Sequence, residues 1–289
     1  MNTAPVLPPL LVLDPLLRSW LLEDIGRGDR TTQGLLATEV TAQAEWVAKA
    51  PGVIAGLPIA ARVFQLLNDK INFIAVASEG EWCEEKQVIA RLEGSLDALL
   101  TGERVALNIA MRLSGIATLT RSYVDKIADL PTQLVDTRKT TPGLRILEKY
   151  ATFVGGAINH RMGLDDAVMI KDNHIAAAGG IGTAIARIRG QIPYPLTVEV
   201  EAETLDQVEE ALQHKADIIM LDNMPQDMMR QAVEMIRQSD SRIKIEASGN
   251  ITLETIRDVA ETGVDYISSS APITQSNWLD LSMRMVAKA

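Results

Sequence analysis

The stretch LTVEVEAETLDQVEEALQHKADIIMLD (residues 196–222) decides the fold class of this chain. Residues 196–200 alternate polar and apolar side chains and predict a strand, and residues 204–214 have the spacing of a helix. Residues 217–221 form a short apolar run that predicts a second strand. A strand, a helix and a strand in direct succession are typical of a parallel βαβ unit, in which the helix covers one face of the sheet.

The same alternation continues on both sides of this stretch. Further strands are predicted at 133–136, 167–170, 243–247 and 265–268, and further helices near 143–153, 180–189, 225–237 and 252–261. So many βα units favour a closed or nearly closed barrel over a dinucleotide-binding sheet. The lack of a GxGxxG sequence after these strands supports that choice.

The first part of the chain has a mixed α/β pattern. A helix is predicted at 14–24, and strands are predicted at 42–48, 72–78 and 87–92. One long helix is predicted from Thr101, as its N-cap, to about Leu130, where Pro131 ends it.

Composition excludes several classes of function. The formal net charge of −10 disfavours nucleic acid as a ligand, because phosphate backbones select basic surfaces. No apolar run reaches the roughly 18–20 residues of a membrane span, so we expect no membrane partner. A single cysteine, Cys83, rules out an internal disulfide framework, and we expect a cytoplasmic protein.

Polar residues collect at the carboxyl ends of the predicted barrel strands, where βα barrels build active sites. In chain order they are Asp136, Arg138 and Lys139; Lys171; Glu199 and Glu201; Asp222; Glu246, Ser248 and Gly249; and Ser268 to Ser270.

The acidic members of this set predict a cation site. Side-chain alternation points Glu199, Glu201 and Asp222 into the barrel mouth, because Val198 and Val200 occupy the opposite face of their strand. Converging carboxylates repel one another unless a positive charge lies between them, and Mg²⁺ prefers oxygen ligands. In the alternative interpretation, each acid forms an ion pair with a neighbouring lysine or arginine.

The basic members predict an anion site. Arg138, Lys139, His160, Arg161 and Lys171 follow successive segments on the same predicted face. Guanidinium groups bind carboxylates and phosphates bidentately, which suits a dicarboxylate or phosphate ligand. A solvated basic surface is the alternative.

A phosphate cradle is predicted at Ser248, Gly249 and Asn250, which precede a predicted helix. Alternatively, Asn250 or Thr252 only caps that helix.

Taken in order, the motifs resemble the quinolinate phosphoribosyltransferase family (nicotinate-nucleotide pyrophosphorylase, carboxylating). The resemblance rests on EDIG (23–26), GDRTT (28–32), GERVALN (102–108), DTRKTTPGLR (136–145), GGAINHRMGL (155–164), IKDNHI (170–175), VEVE (198–201), MLDN (220–223) and EASGN (246–250). One departure is SSSA at 268–271, where the family usually has Ser-Val-Gly-Ala, so that Ser270 replaces a glycine.

The resemblance implies an N-terminal α/β sandwich-like domain (1–115) and an incomplete, open βα TIM-like barrel (116–272). It also implies that a tail (273–289) packs with the first domain. A homodimer or a higher assembly is expected, in which Arg104 reaches the neighbouring active site.

The activity that the resemblance implies is phosphoribosyl transfer from phosphoribosyl pyrophosphate to quinolinate, with release of CO2 and pyrophosphate and with Mg²⁺ as cofactor. Quinolinate is expected on Arg104, Arg138, His160, Arg161 and Lys171. The expected catalytic residues are Lys139, Lys171, Glu201 and Asp222, of which Glu201 and Asp222 hold the metal. Phosphoribosyl pyrophosphate is expected on Lys139, Ser248, Gly249, Asn250, Ser269 and Ser270.

Three other functions stay open at this point. A Schiff-base lyase using Lys171 fits a barrel lysine but leaves the paired acids and arginines unexplained. A related pyrophosphorylase acting on another acid would keep the phosphoribosyl site and change the arginines. A non-enzymatic anion-binding protein would bind phosphoribosyl pyrophosphate without turnover.

Overall fold

A computed structural model of the protein describes residues 5–36 and 40–286. The helices are α1 (Leu10–Ile25), α2 (Arg30–Leu35), α3 (Leu57–Leu67), α4 (Leu96–Asp125), α5 (Arg145–Gly155), α6 (Asp172–Ala178), α7 (Ile181–Arg189), α8 (Leu205–Gln213), α9 (Gln226–Ser239), α10 (Ile256–Ala260) and α11 (Ala271–Thr274). The strands are β1 (Thr41–Ala48), β2 (Gly52–Val53), β3 (Asn72–Ala75), β4 (Trp82–Cys83), β5 (Val88–Ser95), β6 (Gln133–Val135), β7 (Val168–Ile170), β8 (Val198–Ala202), β9 (Ile218–Asp222), β10 (Lys244–Ser248), β11 (Tyr266–Ser268) and β12 (Leu281–Val286).

These elements form two compact units. Within the described residues, the first unit runs to Arg121 and takes in 146–156 and the chain from Gln275 onward. The second unit comprises 122–145 and 157–274. The domain boundaries expected from the resemblance stay predictions, and the last three residues of the expected tail lie outside the described part.

The first unit is built on an antiparallel sheet in the order β12-β1-β5-β3. Strand β12 comes from the far end of the chain and pairs with β1 from Gln43 to Ala48. The aromatic rings of Trp46, Phe64 and Phe73 meet with centroids 5.6–6.2 Å apart. These ring contacts anchor α3 to the sheet, because Phe64 lies on the buried face of that helix.

A half-buried carboxylate fixes the start of α3. Glu79 accepts hydrogen bonds from the backbone N–H groups of Gly56 (2.7 Å) and Leu57 (2.9 Å). It also accepts one from the Tyr150 hydroxyl at 2.8 Å. The first N–H groups of a helix have no partner within the helix, so Glu79 supplies the acceptor that they lack.

The second unit is a six-stranded parallel sheet in the order β6-β11-β10-β9-β8-β7. The chain enters at β6, passes to the opposite edge at β7, and returns one strand at a time to β11, which lies beside β6. Buried residues in this sheet, such as Val198, Val200 and Ile219, explain the apolar runs of the sequence.

The sheet does not close into a full barrel within the described residues, since β6 and β7 remain its two edges. A single parallel bridge between Val135 and Ile158 extends the β6 edge. The prediction of a mixed α/β chain with an incomplete parallel barrel is therefore confirmed.

The long helix differs from its prediction at both ends. It begins at Leu96, directly after β5, so Thr101 lies inside the helix and is not its N-cap. The cause is an apolar pattern that starts earlier than expected, since Ala98 and Leu99 are already buried. The helix ends at Asp125, and turns lead from there to Pro131.

None of the helices in the described ranges has the length and hydropathy that crossing a membrane requires.

Candidate active site

The carboxyl ends of the six parallel strands carry the polar side chains from which a site was predicted. Each strand has such a residue at or next to its end: Asp136, Lys171, Glu201, Asp222, Ser248 and Ser268. Because neighbouring strands run in the same direction, these residues lie along one edge of the sheet. The second unit therefore brings together a cluster that is scattered over more than 130 residues of sequence.

Lys171 and Glu201 form an ion pair between neighbouring strands. Lys171 follows Ile170, whose partner on β8 is Val200, so Lys171 and Glu201 lie level with each other. The Lys171 Nζ contacts Glu201 Oε1. For Glu201 this geometry matches the alternative interpretation, in which an acid pairs with a lysine. The metal assignment for Glu201 and Asp222 stays a prediction.

Asp136 anchors the loop that carries the next basic residues. Its Oδ1 accepts a hydrogen bond from the backbone N–H of His160 at 2.8 Å, and its Oδ2 accepts one from Asn159 Nδ2 at 2.7 Å. Asp136 is only 2% exposed, so this contact is shielded from water. The backbone at His160 is therefore tied to the end of β6.

The imidazole of His160 is held on both sides. Its Nδ1 accepts a hydrogen bond from the backbone N–H of Arg161 at 2.7 Å. Its Nε2 lies 3.2 Å from Glu199 Oε2 and 3.5 Å from Glu246 Oε2. The three side chains could hold a metal ion, since their ligand atoms lie within 4.8 Å of one another. The distances equally suit hydrogen bonds, and both ring nitrogens have partners in the protein.

Two influences act on the protonation of this ring. Burial alone lowers the pKa of His160, but the hydrogen bonds to Glu199 and Glu246 raise that pKa to about 10. The Arg161 N–H that donates to Nδ1 favours the neutral ring instead. Only the neutral ring can accept this hydrogen bond, so the contact assigns the form in which Nε2 carries the proton and donates to the carboxylates. Burial raises the pKa of Glu199 despite this hydrogen bond, and the nearby Glu246 charge adds to the increase.

Arg138 and Arg161 lie close enough to influence each other. Burial lowers the pKa of Arg161, and the charge of Arg138 lowers it further. Arg161 Nη1 donates to the Ala167 carbonyl at 2.9 Å. The Arg138 Nε is buried and has no hydrogen-bond partner within the described residues. Two neighbouring guanidinium groups, one with an unused buried donor, form a site suited to an anion with more than one negative charge.

The ends of β9 and β10 are joined through their asparagines. Asn223 donates its backbone N–H to the Ser248 carbonyl at 2.9 Å, and its Nδ2 donates to Asp222 Oδ2 at 2.8 Å. Asn250 Nδ2 donates to Asn223 Oδ1 at 3.3 Å. The loops after both strands are thereby held in a fixed relation to Asp222.

Gly249 fits this arrangement because it lacks a side chain. Its φ is 104°, and a Cβ there would lie 2.2 Å from Asn223 Oδ1. Asn250 also has a positive φ of 52°. The helix predicted to follow directly begins only at Ile256, with Thr255 as its N-cap residue, so neither Asn250 nor Thr252 caps it.

Ser269 and Ser270 form a tight turn after β11. Ser269 donates its backbone N–H to the Val135 carbonyl at 3.1 Å, and its Oγ accepts from the Ala271 N–H at 3.3 Å. The Ser270 carbonyl accepts from the Thr274 N–H at 2.9 Å and so begins α11. Ser270 is not among the described non-glycine residues with a positive φ, so its backbone conformation does not require the glycine that was expected there.

Two predicted site residues lie outside this arrangement of contacts. Lys139 is exposed on the loop after β6, and its N–H donates to Thr137 Oγ1 at 3.0 Å. Arg104 lies on α4 in the first unit with its side chain 61% exposed, and its only ion pair within the described residues is a 3.9 Å contact with Glu103.

Sequence reasoning missed three residues that shape the site. Asn159 and Asn223 hold Asp136 and Asp222 respectively, and their only signal was adjacency to a chemically active residue. Arg145 donates to Thr140 Oγ1 and to the Met162 carbonyl, each at 3.1 Å. It thereby links the loop of Arg138 to the loop of Arg161, a role that spacing alone does not reveal.

Comparison with known proteins gives a consistent result. Residues 116–284 match the family profile described as quinolinate phosphoribosyl transferase, C-terminal domain, and residues 29–114 match that of its N-terminal domain. A probable nicotinate-nucleotide pyrophosphorylase (carboxylating) from Synechocystis sp. is 60% identical over 287 residues, which cover 99% of this chain and 97% of the relative. Its namesake from Bacillus subtilis is 46% identical over 273 residues, covering 94% of this chain and 93% of the relative.

Solved structures agree with these relatives. NadC from Streptococcus pyogenes has a TM-score of 0.92 at 40% identity, covering 98% of this chain and 100% of that one. The nicotinate-nucleotide pyrophosphorylase from Francisella tularensis has a TM-score of 0.92 at 36% identity, covering 99% and 100%. Both family profiles and these full-length relatives agree with the fold, and the chain therefore belongs to the quinolinate phosphoribosyltransferase family.

Proposed function

We propose that this enzyme transfers the phosphoribosyl group of phosphoribosyl pyrophosphate to quinolinate and decarboxylates the product to nicotinate mononucleotide, a step of NAD biosynthesis. One observation carries the substrate assignment. The charge of Arg138 lowers the pKa of Arg161, so the two guanidinium groups lie within electrostatic range, and the buried Arg138 Nε has no partner within the described residues. A pyridine with two adjacent carboxylates supplies the paired negative charge that such a site lacks.

The chemistry follows from the charges at the strand ends. The ribose C1 becomes electron-poor as pyrophosphate leaves, and Glu201 and Asp222 offset that charge. The quinolinate nitrogen then attacks C1 and forms a cationic pyridine ring. Loss of the C2 carboxylate as CO2 leaves its electron pair at C2, where the cationic ring stabilises it until a proton adds. Lys171 is the expected cation beside this carboxylate.

Mg²⁺ is the expected cofactor, with Glu201 and Asp222 as its protein ligands. Both are carboxylates at neighbouring strand ends, and Mg²⁺ usually binds to one or two carboxylates together with substrate phosphates. The donor set therefore fits. When bound, the ion neutralises charge on the departing pyrophosphate. Lys139, exposed on its loop, is expected to contact the same phosphates.

We place the 5′-phosphate of the ribose at the turn formed by Ser248, Gly249 and Asn250, next to Ser269 and Ser270. Support comes from the left-handed backbone at Gly249 and Asn250, since successive N–H groups in such turns create concave sites for anions. Ser270 lies in the adjoining turn, where its carbonyl accepts the Thr274 N–H at the start of α11.

The assembly proposed is a homodimer, or a higher oligomer built from it, in which Arg104 of one subunit completes the neighbouring quinolinate site. Its 61% exposed side chain leaves it available for such a contact. The cytoplasmic location predicted from the composition stays a prediction.

A direct assay tests the function. The enzyme is incubated with phosphoribosyl pyrophosphate, Mg²⁺ and either quinolinate or nicotinate, while nicotinate mononucleotide and CO2 are followed. We expect product from quinolinate alone. Product from nicotinate alone would keep the phosphoribosyl site and overturn the dicarboxylate assignment. Product from neither acid would overturn the proposal as a whole.

The Schiff-base alternative receives less support, because Glu201 engages the Lys171 ammonium, whereas a Schiff-base lysine reacts as a free amine. Borohydride trapping of a carbonyl substrate on Lys171 would reverse this preference.

A further inference from the structure

Two carboxylates inside the barrel remain outside the chemistry described above. Glu199 and Glu246 lie on β8 and β10, on either side of β9, and both are buried. Each directs its Oε2 at His160 Nε2, and each Oε1 is buried without a hydrogen-bond partner within the described residues. Burying two carboxylates is costly, so their retention calls for a role.

His160 shows what that role is. Its Nε2 lies against the two carboxylates, and its Nδ1 accepts from the Arg161 N–H. Neither ring nitrogen is left to bind a substrate carboxylate. Rotation of the ring would break both contacts at once. The imidazole therefore links strands β8 and β10, through Glu199 and Glu246, to the backbone N–H of Arg161.

We propose that Glu199 and Glu246 are positioning residues that act through His160 to fix Arg161 for quinolinate binding. Asp136 supports the same loop from the other side, because it accepts the His160 backbone N–H at 2.8 Å. The inference rests on the proposed function and deepens it. In this view, His160 contributes to quinolinate binding through Arg161 and not through a direct contact of its ring.

Binding measurements on isosteric variants test the proposal. We compare Glu199→Gln, Glu246→Gln and the double variant with Glu209→Gln, a matched change of an exposed acid on α8. The dissociation constants of quinolinate and of phosphoribosyl pyrophosphate are measured separately for each. In the double variant, quinolinate affinity falls at least about tenfold, as for one charged hydrogen bond. Phosphoribosyl pyrophosphate affinity and the thermal midpoint stay near wild-type values in every variant.

A double-mutant cycle separates an effect of Glu199 that acts through His160 from an independent effect of Glu199 on quinolinate affinity. In His160→Asn the contact with the two carboxylates is removed, so a further Glu199→Gln change leaves quinolinate affinity unaltered. Unchanged quinolinate affinity in the Glu199→Gln, Glu246→Gln double variant would overturn the proposal, and so would additive losses in the cycle. An equal loss of affinity for quinolinate and for phosphoribosyl pyrophosphate, together with a lower thermal midpoint, would also overturn it. That result would indicate a merely structural role.

A spectroscopic readout does not depend on the reaction. The chain has three histidines, so the His160 ring signals in a ¹⁵N-labelled sample are identified by their loss in His160→Asn. We expect the double variant to shift the His160 ring and Arg161 amide signals and to leave those of His174 and His214 in place. An unshifted Arg161 amide overturns the proposal.

Two further outcomes are distinguishable from these. A stoichiometric metal ion in the wild type that Glu199→Gln loses would overturn the proposal, because Nε2 would then be a metal ligand. Wild-type enzyme that neither binds nor converts quinolinate would contradict the proposed function instead. The histidine signals would then still test whether the carboxylates position Arg161.

Discussion

The side chains of Arg138 and Arg161 combine two unfavourable features, burial and proximity of like charge. Burial and the neighbouring Arg138 lower the pKa of Arg161, while Glu199 and Glu201 act in the opposite direction. A guanidinium nevertheless stays charged at neutral pH. Glu199 and Glu201 offset part of this repulsion, and an anionic ligand beside the two guanidinium groups would offset more of it.

We expect Arg161→Ala and Arg138→Ala each to weaken quinolinate binding by about 1.5–3 kcal/mol, the contribution of a charged hydrogen bond. Titration of quinolinate at fixed ionic strength measures the loss. Arg242→Ala is the matched control, because Arg242 pairs only with Asp240 at an exposed position within the described residues. Wild-type affinity in both site variants would rule out the dicarboxylate assignment.

At the scale of secondary-structure elements, the loops after β9 and β10 depend on one close approach. The backbone of Gly249 passes so near to Asn223 that an added Cβ would lie 2.2 Å from its Oδ1. The φ of 104° is a second obstacle to any other residue. The turn proposed to bind the 5′-phosphate therefore tolerates only glycine without rearrangement.

Gly249→Ala is expected to weaken phosphoribosyl pyrophosphate binding by about 1–3 kcal/mol, the usual scale of strain at a disfavoured φ. Calorimetric titration of the substrate measures the effect. Gly190→Ala serves as control, because Gly190 has a φ of −74° and an added Cβ there would lie no closer than 3.5 Å to its neighbours. If both variants bind alike, the turn is not the phosphate site.

The start of α3 offers a prediction about stability. Glu79→Ala leaves the Gly56 and Leu57 N–H groups and the Tyr150 hydroxyl without their acceptor. We expect the free energy of unfolding to fall by about 1–3 kcal/mol, as for other unsatisfied buried groups. Urea denaturation measures this, with the exposed Glu85→Ala as control. Equal midpoints for the two variants would show that water replaces the carboxylate.

The sequence predicted those elements that bury an apolar face. Strand β9 was expected at 217–221 and lies at Ile218–Asp222, because its side chains are mostly buried. Helix α6 was missed because none of its side chains is buried, so its sequence has no apolar periodicity. Strand β12 was missed because it depends on pairing with β1, more than 230 residues away in the chain.

The same limit applied to the site. Side-chain alternation predicted which acids point inward, but it did not predict the residues that they contact. Alternation predicted that Glu199 points inward, but it did not reveal that Glu199 lies against His160, together with Glu246 from another strand. A metal ion beside Glu199 stays a prediction. Contacts between elements distant in sequence depend on strand order and register, which local patterns do not specify.

At the scale of the whole molecule, the proposed function requires a residue that the second unit does not contain. Arg104 belongs to the first unit, on α4, whereas Arg138, Arg161 and Lys171 belong to the second. If Arg104 of one subunit completes the site of its neighbour, each active site is shared between two chains. A shared site has a consequence that a site within one chain lacks, because each chain supplies residues to the site of its neighbour.

That consequence is complementation between inactive variants. Arg104→Ala and Lys171→Ala are each expected to be inactive as homodimers. A mixed dimer contains one site with both residues intact and one with neither, so random exchange of subunits leaves about one site in four active. The two purified variants are mixed under conditions that allow subunit exchange, and product is assayed against each variant alone. Activity should return at about that fraction if Arg104 acts between subunits. A mixture as inactive as its components, with exchange verified by mass-labelled subunits, would place Arg104 in its own chain's site or outside the site altogether.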